Sequence, residues 1–234
     1  MNTRRDEIAH NLEVVRGRIA AACKAAGRSA DEVTLTVVTK FFPASDVRLL
    51  AELGVTDVGE NRHQEAEAKV AETADLGLRW HFIGTLQSNK AAAVAAYADV
   101  VESVDRPKLL NGLSKGARLR GRPLDCLVQA SLDPPDAGEG RAGAPPAEVP
   151  ALAARIQGTD GLRLRGVMAI APLGEDPATA FARLAELAAE VQQVDPSATW
   201  VSAGMSGDLE EAISAGATHV RIGSAVLGRR PAIK

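Results

Sequence analysis

The feature that most constrains this chain is a rhythm. Short β-branched apolar runs alternate with amphipathic stretches from Thr34 onward, beginning with TLTVVTK at 34–40. Such runs, bounded by polar residues, read as buried strands. Further strands are predicted over 56–59, 80–84, 100–104, 125–132, within 162–171, and over 200–205 and 218–222. Helices are predicted over 44–53, 64–72, an Ala-rich stretch through Tyr97, 107–119, 148–157, 179–194, 209–215 and a short piece after the last strand. Strands alternating with helices are the pattern of parallel βα units. Eight such units predict an α/β fold of the closed (β/α)8, TIM-type barrel class. The rival, an open doubly wound sheet, is disfavoured because no GxGxxG follows the first strand.

Two segments stand outside the rhythm. Residues 3–27 read as an extra helix: Ile8, Leu12, Val15 and Ile19 form one apolar stripe and Gly27 supplies a stop. It is expected to cap the bottom or the side of the barrel. Residues 133–150, DPPDAGEGRAGAPPAEVP, predict a mobile loop on the C-terminal face, either a tolerated insertion or a lid. The rhythm resumes after it, so residues 1–234 are read as one domain.

Aromatic residues make up only 3% of the chain, so Ala, Val, Leu and Ile must build the core. A net charge of −3 offers no electrostatic case for nucleic acid or an anionic membrane. No apolar run approaches a membrane span. Cys23 and Cys126 lack metal-type spacing and suit a reducing compartment. The charged N-terminus has no apolar signal core. A cytoplasmic protein acting as a monomer is expected.

In a barrel the residues at strand C-termini share one rim. Lys40 closes the first strand on the face of Thr36 and Val38, ahead of a strand-breaking Pro43. A lysine amine held there in a poorly solvated place would have a lowered pKa and become a Schiff-base nucleophile; a strand-end lysine that snorkels to water is the plainer alternative. After strands seven and eight come GMSGD and RIGSAVLG, which carry Ser206, Gly223 and Ser224. Glycine-plus-serine turns in those two loops point to a phosphate site. Arg221 shares a strand face with His219 and Gly223 and must point inward. There it needs either a carboxylate such as Glu60 or Asp105, or a ligand acceptor. A Schiff-base lysine, a phosphate cup and an arginine between them describe a pyridoxal 5'-phosphate (PLP) site.

VVTKFFP, VGENRHQE, WHFIGTLQSNK, RGVMAIAP and SAGMSGDLEEAISAGATHVRIGSAVLG together strongly resemble the pyridoxal-phosphate homeostasis proteins. These are single-domain barrels similar to the N-terminal domain of alanine racemase, and the resemblance runs from about Leu35 to Gly228. It implies that Lys40 carries PLP as an internal aldimine, that Ser206, Gly223 and Ser224 hold the phosphate, that Arg221 faces the pyridine nitrogen, and that Asn61 and Met205 line the pocket. The loop after strand five offers Arg141 where the family often has a lysine. The implied role is binding the coenzyme and delivering it to apo-enzymes without turnover. A racemase-like enzyme is the main alternative; it would need a second acid/base opposite the lysine, and the single tyrosine, Tyr97, falls in a helix. An aldolase-type lysine enzyme acting on a sugar phosphate is the third reading.

Overall fold

Eight parallel strands pair in sequence order, and the last returns to the first to close a barrel. The computed structural model describes residues 3–133 and 142–229. The strands are β1 Thr34–Val38, β2 Asp57–Glu60, β3 Arg79–Phe82, β4 Val100–Val104, β5 Leu124–Gln129, β6 Leu162–Met168, β7 Trp200–Ser202 and β8 His219–Ile222. The helices are α1 Arg4–Ala25, α2 Ala44–Glu52, α3 His63–Glu72, α4 Ala91–Tyr97, α5 Leu110–Leu119, α6 Val149–Gln157, α7 Pro177–Val194, α8 Leu209–Ser214 and α9 Ser224–Leu227. The barrel class read from the rhythm is therefore the observed one.

Four strands, β3 among them at Phe82 rather than Gly84, end before their predicted runs, because a strand ends where its neighbours stop pairing. β1 ends at Val38 rather than Lys40: its partners end at Val38–Gly59 on one side and Val37–Ile222 on the other. Thr39 makes one last bond to the Gly59 carbonyl, and Lys40 lies in the turn beyond. β7 ends at Ser202 rather than Met205, and β5 at Gln129 rather than Leu132.

Outward-facing strand residues such as Val37, Val58, Val101, Cys126, Val167, Val220 and Ile222 pack under the helices. The helices meet them with buried stripes, as in α7, where Ala180, Phe181, Leu184, Leu187, Ala188 and Val191 are buried. Asp176 caps that helix by accepting from the amides of Ala178 and Thr179, with Pro177 at its first turn.

The N-terminal helix lies on the side of the barrel. α9 is a single turn and is too short to cover the β8–β1 seam. α1 fills the gap: Ile8, Leu12, Val15, Ile19 and Cys23 pack in one cluster with Val37, Val220 and Ile222, and α1 contacts α2, α8 and α9. Thr3 and Asp6 form its capping box.

The loop expected to be mobile over 133–150 is held at its far end. Ala144 bridges Ala130, Ser131 N donates to Ala144 O, and Gln129 Nε2 donates to Ala142 O at 2.5 Å. A turn of 3-10 helix over Pro146–Glu148 then leads into α6. The bridge continues the β5 edge, which composition could not show. Residues 134–141, including Arg141, lie outside the described residues, so the lid reading rests on a segment not described. Among the described residues no helix is long and apolar enough to cross a membrane.

If α1 closes the barrel side, Leu12→Ala costs roughly 2–5 kcal/mol in a denaturant titration, as for other buried leucines. Val14→Ala, on the exposed side of the same helix, stays within about 0.5 kcal/mol.

Candidate functional site

A strand buried on both faces has no solvent side on which to put a charge. VVESV in β4 nevertheless carries Glu102, and RWHF in β3 carries His81; both are about 1% exposed. They meet inside the barrel. His81 Nδ1 lies 2.7 Å from Glu102 Oε1, and its Nε2 lies 2.9 Å from Asp57 Oδ1. Ser202 Oγ donates to Glu102 Oε2 at 2.6 Å. Arg221 Nη1 donates to Ser202 Oγ at 2.7 Å and stands 3.8 Å from Glu102 Oε2. Its Nη2 donates to the Ala169 carbonyl at 2.8 Å.

The inward partner of Arg221 is thus Glu102, not the Glu60 or Asp105 weighed from the sequence. Strand parity is the reason for Glu60: a Cβ on Gly59 would meet Thr36 and Val38 inside the barrel, so the next residue turns outward. There it meets Lys69 on α3 at 2.6 Å. Asp105 pairs with Arg106.

Burial works against charge on both members of the central pair, and the pairing overrides it. His81 is disfavoured as a cation by desolvation, but its hydrogen bonds to Asp57 and Glu102 and their charges lift its pKa to about 9. Desolvation also opposes ionisation of Glu102, but its hydrogen bond to His81 and the charges of His81 and Arg221 hold it down at about 2. His219, buried with no carboxylate bound to it, falls to about 4. Its ring lies 4.4 Å from Trp200, which carries Arg79 and Arg165 over its faces.

Above this network the C-terminal mouth opens into a cavity of about 530 Å³. Lys40, Asn61, Met205, Ser206, Arg221, Gly223 and Ser224 all line it, so the seven residues singled out in the sequence converge on one space. Arg221 forms its floor at 4% exposure. Gly223 is a close approach: a Cβ there would lie 3.3 Å from the Val38 carbonyl. Asn61 is tucked against Gly84, where a Cβ would overlap the Asn61 carbonyl. Its buried Oδ1 has no hydrogen-bond partner among the described residues.

Helix α1 braces the two loops expected to hold phosphate. Arg18 Nη1 donates to Ser206 O at 3.0 Å while its guanidinium grips Glu210 at 2.8 Å. Asn11 donates to Val226 O and Arg4 to Leu227 O, each at 2.9 Å. Asp208 Oδ1 accepts from the Met205 amide at 2.6 Å and shapes the loop after β7.

Tyr97 does not reach the cavity. It sits on α4, stacked on His63 with ring centroids 5.8 Å apart. His81 lies below the floor, inside the ion network. Sequence reasoning missed that network, although a glutamate inside VVESV was a readable signal that a cation must face it. It also missed Lys69, whose i,i+4 spacing from Glu65 marks a helix pair.

The donor set fits PLP. A primary amine, a fixed cation, two hydroxyls with a glycine whose Cβ would crowd Val38, and an amide oxygen unpaired among the described residues line one cavity.

The raised pKa of His81 ties stability to pH. The folded state binds this proton more tightly than the unfolded chain, so the contribution is whole below about pH 6.5 and fades as pH rises through about 9. Glu102 behaves oppositely: its contribution is whole above about pH 4.5 and is lost as pH falls through about 2. Urea unfolding of wild type and His81→Gln should therefore show a gap that is widest near about pH 6 and narrows toward about pH 10. A gap that stays constant would show that folding leaves the proton affinity of His81 unchanged, and one that widens as pH rises through about 6.5 would show that His81 is neutral in its pocket.

Comparison with known proteins agrees with the geometry. The family described as alanine racemase, N-terminal domain, matches residues 4–231. The pyridoxal phosphate homeostasis protein of Mycobacterium tuberculosis is 42% identical over 243 residues, spanning 97% of this chain and 94% of the relative. That of Pseudomonas aeruginosa is 44% identical, spanning 95% and 96%. The structure of PipY from Synechococcus elongatus, solved with PLP bound, superimposes with a TM-score of 0.81 at 36% identity and covers 94% of this chain and all of that one. The chain belongs to the pyridoxal phosphate homeostasis proteins, within the alanine racemase N-terminal domain family.

Proposed function

We propose that this chain binds PLP at the C-terminal mouth of its barrel and holds it for delivery to apo-enzymes rather than for turnover. One observation carries the reading: among the described residues lining the cavity, the titratable side chains are Lys40 and Arg221. An α-proton racemase needs two proton-transferring groups on opposite faces of its substrate. Lys40 can serve as one. Arg221 keeps its proton and is held from below by Ser202 and Ala169, so it cannot serve as the other. The relatives' name and the PLP in PipY support the choice of ligand.

When bound, PLP supplies an aldehyde that a primary amine holds covalently and a ring that accepts electron density. Lys40 supplies the amine. Ser206 and Ser224 supply hydroxyl donors at the phosphate end, and Gly223 leaves room for the phosphate to approach the backbone. Arg221 would present a permanent cation to the ring nitrogen, which would then act as an acceptor rather than carry a proton. Asn61 offers its unpaired Oδ1 to a ligand hydroxyl, and Met205, 37% exposed, covers the outer edge.

Three measurements test this. Borohydride reduction of the loaded protein followed by peptide mapping should place the adduct on Lys40; an adduct on Lys90 or Lys115 would refute the assignment. Ser224→Ala should weaken PLP binding by about 1.5–3 kcal/mol, the worth of a hydrogen bond to a charged group, and leave pyridoxal binding almost unchanged. Equal losses for both would put the phosphate elsewhere. In deuterated water with a panel of L- and D-amino acids, α-proton exchange should fall far below the turnover of about 1–1000 per second of a dedicated enzyme, and the protein should instead pass its PLP to an apo-enzyme. Fast exchange abolished by Lys40→Ala would make the chain a racemase.

A further inference from the structure

Lys40 lies between two peptide groups, and side chains of α3 hold both. The carbonyl before it, Thr39 O, accepts from Lys69 Nζ at 2.8 Å. The amide after it, Phe41 N, donates to Glu65 Oε1 at 2.5 Å. Lys69 Nζ also donates to Glu65 Oε1 at 2.8 Å and to Glu60 Oε1 at 2.6 Å, so three acceptors meet its three donors. Glu60 Oε1 accepts from Thr39 Oγ1 at 2.7 Å, which ties the knot back to the strand end. Lys69 is only 6% exposed.

The turn so held is strained. Phe41 has φ +71°, and it is the one non-glycine residue with positive φ among the described residues. A side chain with a Cβ resists that region, and a bulky aromatic has no local hydrogen bond to offset the strain. Such strain persists only where surrounding contacts over-determine it. Here the contacts include two side chains one helical turn apart, beside the Phe42 N–Thr39 O turn bond and the Arg62 guanidinium over the Phe41 ring.

We propose that Lys69 and Glu65 are positioning residues: by pinning both peptide planes of Lys40 they fix its backbone dihedrals and aim its amine into the cavity. The inference rests on Lys40 being the PLP lysine. Two fixed peptide planes leave the Cα–Cβ direction of Lys40 no freedom. With the clamp removed, Phe41 relaxes to negative φ, the 40–41 peptide turns, and the amine must be ordered anew each time the coenzyme binds. A pre-organised amine binds more tightly because that ordering has already been done.

The test compares PLP and pyridoxal affinity, by equilibrium dialysis, in wild type and variants whose folding is checked by thermal melting. Glu65→Ala should weaken PLP by about tenfold, the scale of one lost charged hydrogen bond. It should weaken pyridoxal by a similar factor, because the defect lies at the amine end; Ser224→Ala spares pyridoxal. Glu65→Gln keeps an acceptor for Phe41 N and should recover most of the loss. In a Phe41→Gly background, where positive φ carries no strain, the Glu65→Ala effect should shrink. Lys69→Met should match or exceed Glu65→Ala; if it does not fold, the Glu65 and Phe41 variants decide alone. A folded Glu65→Ala that binds both ligands like wild type would overturn the clamp while leaving the PLP reading intact. A wild type that binds no PLP would overturn the functional reading itself.

Discussion

The site depends on one charge that cannot be shed. Arg221 points into the barrel, and a guanidinium keeps its proton even where desolvation lowers its pKa. Buried and alone, it would cost more than the fold could spare. Glu102 therefore faces it across the barrel, Ser202 bridges them, and His81 and Asp57 extend the network from β4 back through β3 to β2. In many barrels this space is filled by layers of branched apolar side chains. Here a small apolar cluster of Val100, Leu127 and Met168, with Ile170 and Trp200 against it, shares it with the ion network. The result is a cation held at the cavity floor by Ser202, Ala169 and Glu102.

Two further devices surround that floor, and each is built from a helix outside the barrel. α3 holds the turn that carries Lys40. α1 replaces the missing length of the last barrel helix and, through Arg4, Asn11 and Arg18, bonds the carbonyls of Leu227, Val226 and Ser206. Salt bridges such as Arg18–Glu210, partly exposed on both sides, contribute little energy by themselves. Their role here is direction, since they orient the guanidinium whose remaining donor fixes the β7 loop. The turn that carries Lys40 and the loops that carry Ser206 and Ser224 are thus braced independently, around a floor braced by neither.

The barrel was legible because its signals are local and periodic. A β-branched run such as TLTVV, or the alternation of His219 and Arg221 against Val220 and Ile222, states which residues face in and which face out. The rim residues were legible for the same reason: a strand order of one to eight places Lys40 beside the loops that carry Ser206 and Ser224 without any knowledge of distances. Strand ends were less legible, because a run such as WVSAGM continues past the point where its neighbours stop pairing. The 142–150 segment reads as loose from its Pro and Gly content, and only its bridge to Ala130 shows that it is held.

By itself, then, the sequence determined the fold class and the set of residues gathered at the mouth, since each follows from a period of two or of 3.6 and from chain order. Only the tertiary structure decided the pairings. Glu60 and Glu102 are equally plausible partners for Arg221 in a string of letters. One turns out toward Lys69 and the other in toward Arg221, because parity within each strand is set by how its neighbours register. The left-handed turn at Phe41 is likewise invisible in FFP, for the two α3 side chains that meet the peptide groups on either side of Lys40 lie more than twenty residues further along the chain.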